Sequence, residues 1–214
     1  MAEILVLVEH LDGAPKKVTN ELLTLARTLG EPSAVWIGDG ADTALDKLGE
    51  YGAQQVYAAA DPELEQYAVA PKAEVLAQLV AERSPAAVLI ASSAEGKEIA
   101  GRLAIKTNSG VITDAVGLSA DLEANQSIFG GGIFVTSKVV TGTPIFTVRP
   151  NSVPPEPSAA SPSVTPVTVT LPDAAKGARV LDRVVEKTGA RPELAEAAIV
   201  VSGGRGVGGP EGFG

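Results

Sequence analysis

Residues 199–214 read IVVSGGRGVGGPEGFG, and within them Gly204-x-Gly206-x-x-Gly209 has the spacing of a dinucleotide-binding fingerprint. Glycines at that spacing let backbone amides approach a pyrophosphate, and a helix starting behind the loop favours negative charge. Two parts of the fingerprint are missing. There is no room for a helix after Pro210, and no acidic residue stands about 20 positions on. The plainer reading is a glycine-rich turn. Arg205, framed by glycines, has an open path to an anion and can hold a phosphate through two parallel hydrogen bonds. Its alternative is a solvated surface arginine.

A second candidate is the turn ASSAEGKE (91–98), where a strand is expected to run into a helix at the ligand edge of a parallel sheet. Ser92 and Glu95 have capping-box spacing, the bland reading, beside an anion or partner contact. Glu98 and Arg102, four apart, suit a surface pair better than a catalytic one. His10 is the sole histidine and follows the first strand beside Glu9. A general base needs an oriented partner and a nucleophile, and no motif supplies them. No Ser/His/Asp set, HExxH or Walker loop is visible, so a stand-alone enzyme is not expected.

Composition narrows the classes. A net charge of −9 disfavours nonspecific binding to nucleic acid or an anionic membrane. The absence of cysteine excludes disulfides, thiolate metal sites and cysteine nucleophiles. No apolar run approaches the ~20 residues of a membrane span. The first strand begins at Ile4 with no secretory pattern before it. The expectation is a cytoplasmic protein without a membrane span.

These residues need a scaffold. EILVLVE (3–9) reads as a buried parallel strand. Val18, Leu22, Leu25, Ala26 and Leu29 mark a helical face stopped by Gly30 and Pro32. SAVWI (33–37), QQVYAA (54–59), AAVLIA (86–91) and VITDAVGL (111–118) are further strands. A short helix carries Leu45 and Leu48, and longer ones span 71–83 and 95–107. The alternation implies an α/β fold: a mostly parallel open sheet with helices on both faces. QSIFGGGIFVTSKVVTGTPIFTVRP, from Gln126, reads as an antiparallel pair added to it. The Pro/Ser-rich stretch 150–166 is expected to be an extended connection. VTVTL (167–171), RVLDRVV (179–185) and AIVVS (198–202) read as strands. Residues 1–186 then make one α/β domain, 187–196 a linker, and 197–214 the truncated start of a second α/β domain.

Several stretches together resemble a known family. MAEILVLVEH, ASSAEGKEIAGRLAIKTNSGVITDAV (91–116), IFGGGIFVTSKVVTGTPIFTVRPN (128–151) and RPELAEAAIVVSGGRGVGG (191–209) are similar, in order, to the alpha subunit of the electron transfer flavoproteins. The resemblance implies a heterodimer with a beta subunit, holding one FAD. It also implies electron transfer from acyl-CoA-type dehydrogenases to a quinone oxidoreductase, as in fatty acid oxidation. The first domain would mainly build the dimer, and 197–214 would open the FAD-binding domain. Arg205 matches the family's arginine at the FAD, and Gly203, Gly204 and Gly206 shape the same loop. The later flavin-contact stretches, "GASRAAVD", "QTGKT", "SGAIQH" and "NKD", do not occur here, so tight FAD binding by this chain alone is not expected. Two rivals stand beside this reading: a small nucleotide-binding or sensor domain using the edge near His10 and Ser92, and a nicotinamide-linked dehydrogenase domain.

Overall fold

The computed structural model describes residues 2–11, 13–182, 184, 194, 197 and 199–213. They fall into two units, Met1–Asp182 and Arg183–Gly214.

In the first unit, β1 (Glu3–Leu7) has Ile4, Leu5, Val6 and Leu7 buried, as an apolar run covered on both faces requires. β2 (His10–Leu11) and β3 (Ala14–Pro15) form a two-residue antiparallel ladder in the loop that follows. α1 (Lys17–Leu29) buries Val18, Leu22, Leu25 and Ala26, the stripe expected from their spacing. β4 (Glu31–Ile37), α2 (Ala41–Glu50) and β5 (Gln55–Ala59) continue outward to one side of β1. α3 (Ala70–Arg83), with Pro71 in its first turn, then carries the chain back to β6 (Ala87–Ala91), on the other side of β1. α4 (Ala94–Thr107) leads to β7 (Val111–Leu118), and β8 (Glu123–Ile128) and β9 (Ile133–Lys138) follow as an antiparallel hairpin.

With β10 (Ile145–Val148) and β11 (Ser163–Pro166), the finished sheet has nine strands in the order β11-β5-β4-β1-β6-β10-β7-β8-β9. Its two faces bury separate cores. One packs α1 and α2 against Ile4, Val6, Trp36 and Phe146; the other packs α3 and α4 against Leu5, Val35, Leu89's neighbours Val88 and Ile90, and Ile145. The start of α4 lies close on β6: a Cβ added at Gly96 would stand 1.9 Å from the Ala91 carbonyl oxygen. Only glycine allows that approach.

Several expectations from the sequence are corrected. IFTV does not extend the antiparallel pair. As β10 (Ile145–Val148) it inserts between β6 and β7, parallel to both, and is fully buried. The Pro/Ser-rich connection is extended over most of its length, but its end, Ser163–Pro166, is β11, an edge strand parallel to β5. Pro can serve there because an outer edge needs no further donor. VTVTL forms no strand; Val169 and Leu171 are instead buried against the α3–α4 core. Within RVLDRVV, Arg183 and Val185 lie outside the described residues, and the pairing present is a single bridge from Arg179 to Tyr67. Within AIVVS, Ala198 lies outside them, and the described residues of that stretch form no ladder.

The segment from Asn151 to Ala160 crosses the α1–α2 face and is bonded along its length. Asn151 N–H donates to the Glu21 carboxylate at 2.7 Å, and Lys17 donates to the Asn151 side chain at 2.6 Å. Glu156 N–H donates to Thr24 Oγ1, and the Ala160 amide to Gly49 O. A proline-rich segment with few donors is thus fixed by helix side chains rather than by a ladder.

Candidate functional site

The strand order reverses between β1 and β6, where an open α/β sheet places its ligand crevice. Glu9, His10, Ser92 and Ser93 come together at this edge. Ser93, not Ser92, caps α4: its Oγ accepts the Gly96 N–H at 3.0 Å and donates to Glu9 Oε1 at 2.8 Å. Ser92 Oγ instead shares a 3.0 Å hydrogen bond with Thr147 Oγ1 on β10. The cap lies one residue later than the spacing suggested, so Glu95 is not at the capping-box position and pairs with Lys72 at 2.6 Å. Glu98 and Arg102 form the surface pair expected of them, with two contacts of 2.9 and 2.7 Å to one carboxylate oxygen.

His10 is held structurally. Its Nε2 lies 2.8 Å from the Ile37 carbonyl, to which it donates, and its ring stacks on Trp36 at 4.0 Å. Glu9 is enclosed as well. Its amide donates to Thr19 Oγ1, and its carbonyl accepts from Lys16 N–H and Thr19 Oγ1. The side chains at this edge already have partners, Ser93 with Glu9, Ser92 with Thr147 and His10 with the Ile37 carbonyl, which weighs against the small nucleotide-binding reading. Replacing Ser93 with alanine removes the cap and the Glu9 contact together. It should lower stability by about 1 kcal/mol, read as a shift of the urea midpoint.

A cluster that residue spacing did not reveal lies farther along the edge. Asp114 sits within β7 with φ at +61°, in the left-handed region, which aspartate tolerates better than most residues. Arg149, just past β10, grips its carboxylate with Nη2 at 2.6 Å and Nε at 3.3 Å. The hydrogen bond from Arg149 holds the Asp114 carboxyl below its ordinary value. Its contribution to stability is therefore full above the ordinary carboxylate range and is lost as pH falls through the lowered value. The two residues meet because β10 returns beside β7 (an event no local pattern encodes).

In the second unit, the glycine loop places Gly204 in extended conformation before a single 3-10 turn, Arg205–Val207. The turn's first hydrogen bond is Val207 N–H to Gly204 O at 3.1 Å, so the amides of Gly204, Arg205 and Gly206 precede it. Arg205 is exposed, and its side chain has no ion pair or hydrogen bond among the described residues. Gly203 is packed: a Cβ there would come within 2.5 Å of Val207 and 2.7 Å of Phe213. Gly204 and Gly206 have open space around them. Gly203, Gly204, Arg205, Val207 and Phe213 line an open concavity of about 540 Å³.

The electron transfer flavoprotein domain model matches residues 4–174. The chain is 46% identical over 216 residues to the electron transfer flavoprotein subunit alpha of Mycobacterium tuberculosis, covering 100% of this chain and 67% of that protein. Identity to the same subunit of Mycobacterium leprae is 42% over 215 residues, again 100% and 67% of the two chains. For Bacillus subtilis it is 32% over 221 residues, 99% and 66%. The chain belongs to the electron transfer flavoprotein family. It spans about two thirds of the length of these alpha-subunit relatives.

Within this family member, Arg205, Gly203, Gly204 and Gly206 lie together on one loop, whereas His10 and Ser92 belong to the sheet edge of the other unit. Among the described residues, no group of three or more His, Asp or Glu side chains could hold a metal ion. No described helix is long and apolar enough to cross a membrane.

Proposed function

We propose that this electron transfer flavoprotein chain pairs with a beta subunit, shares one FAD with it, and carries electrons from acyl-CoA-type dehydrogenases to a quinone oxidoreductase in the cytoplasm. It acts as a carrier rather than as an enzyme with its own substrate. The carrying observation is similarity to alpha subunits, at 42% and 46% identity, over the whole length of the chain. On this reading residues 1–186 build the dimer, 187–196 link, and 197–214 begin the FAD-binding domain. The exposed Phe129 and Phe134 support a chain that works inside an assembly, since large exposed apolar groups favour contact.

The loop's donors suit FAD. An unpaired guanidinium and amides ahead of a turn favour the negative charge of a pyrophosphate or a reduced flavin. Arg205 would contact the cofactor, and Gly203, Gly204 and Gly206 would shape the backbone around it. Bound FAD supplies the redox chemistry, passing electrons singly; the chain's residues bind it and set its surroundings.

The test is capture and flavin retention. The 214-residue chain should be captured by the beta subunit of the same organism, and alone should lose added FAD on desalting. A stable monomer that ignores the beta subunit would overturn the pairing. Stoichiometric flavin retained by the chain alone would overturn the shared site.

A further inference from the structure

The β8–β9 hairpin is attached to the rest of the sheet in an unusual way. β7 changes partners at Ala115: residues up to it pair with β10, and residues from it pair with β8. The left-handed Asp114 marks that change. The β7–β8 register ends at Gln126, so Ser127 and Ile128 run past it toward the turn. Two side-chain bonds reach this part of the hairpin. Gln126 Nε2 donates to Thr113 O at 2.8 Å, and Arg149 Nη2 donates to Ser127 O at 3.0 Å. The same Arg149 Nη2 lies 2.6 Å from Asp114 Oδ2. Beyond this tie the tip is exposed and apolar: Ile128, Phe129, Ile133 and Phe134 are 36%, 82%, 50% and 72% exposed. Gly130 and Gly131 turn it with positive φ.

We propose that Asp114 and Arg149 form a clip that holds the hairpin tip, residues 127–134, against the sheet, and that opening the clip frees the tip to move about the Asp114 bend. Asp114 fixes the plane of the guanidinium, and the guanidinium supplies the hydrogen bond to Ser127 that the diverging β7 backbone does not. Lysine does not replace it, because a single ammonium lacks the two-point grip of Nε and Nη2 on the Asp114 carboxylate that orients the donor toward Ser127. A two-stranded hairpin released from its neighbour is marginally stable, so the tip frays when the clip opens.

Amide exchange on the intact chain tests this. Arg149→Gln should raise exchange across 127–134 about three- to fivefold, the effect of losing a half-exposed charged contact, with β1 and β6 unchanged. Arg149→Lys should do the same. The chain has no cysteine, so nitroxides on Asp42→Cys and Phe134→Cys, the latter exposed within the tip, report its position directly, and their distance distribution should broaden in the Arg149 variants. If Arg149→Gln loosens the whole fold, Asp114→Asn, which keeps shape and left-handed tolerance, and 1 M salt on the unaltered chain, which screens the pair, provide the reading. Selective loosening of 127–134 by either supports the clip. Unchanged exchange and an unchanged distance distribution under both overturn it.

Discussion

Arg205→Ala in the proposed alpha–beta heterodimer should weaken FAD binding about ten- to hundredfold, the loss expected when a charged hydrogen bond to an anionic ligand is removed. The measurement is flavin release on serial dilution, followed by flavin fluorescence. Arg205 is exposed and has no ion pair or side-chain hydrogen bond among the described residues, so removing it breaks none among them. Arg102 is the control. It is occupied by Glu98 at 2.7 Å, and its replacement by alanine should leave FAD binding unchanged. Equal affinity in the Arg205 variant and the unaltered protein would remove this residue from the site.

Phe146→Ala should cost about 3–5 kcal/mol, the range for truncating a buried aromatic side chain. Phe146 has no exposed surface and sits on β10, bonded to β6 on one side and β7 on the other. A cavity there opens beneath the core face shared with Trp36, and both neighbouring strands are held by their ladders from closing it. Urea unfolding should show a markedly lower midpoint with the slope retained. Phe134→Ala on the exposed hairpin should change the midpoint by at most about 0.5 kcal/mol. Similar effects at the two positions would contradict the central placement of β10.

Much of the architecture is legible in the sequence because its signals are local. A run such as ILVL has no solvated face, so it demands cover on both sides, and the 3.6-residue spacing in α1 supplies part of that cover. Family membership is equally local in origin: ordered stretches from MAEILVLVEH to SGGRGVGG carry it, and Arg205 with its glycines is marked before any fold is known. Other features arise only when distant segments meet. IFTV has the same composition whether it extends a hairpin or fills the gap between β6 and β7. What decides is that the gap is dry and parallel-sided, so a short apolar strand gains most by entering it. Ser163–Pro166 becomes a strand because β5 leaves an unpaired edge beside the path of the chain. Ser93 rather than Ser92 caps α4 because Ser92 is drawn to Thr147 on a strand 55 residues away. Asp114 and Arg149, 35 residues apart, acquire their contact from the return of β10. Periodicity, glycine placement and motif order are therefore the sequence's own determination, since each depends on neighbours along the chain. Strand order, the choice of capping serine and the ion pair at the bend are tertiary decisions, because their energies reside in contacts that exist only once the sheet has closed.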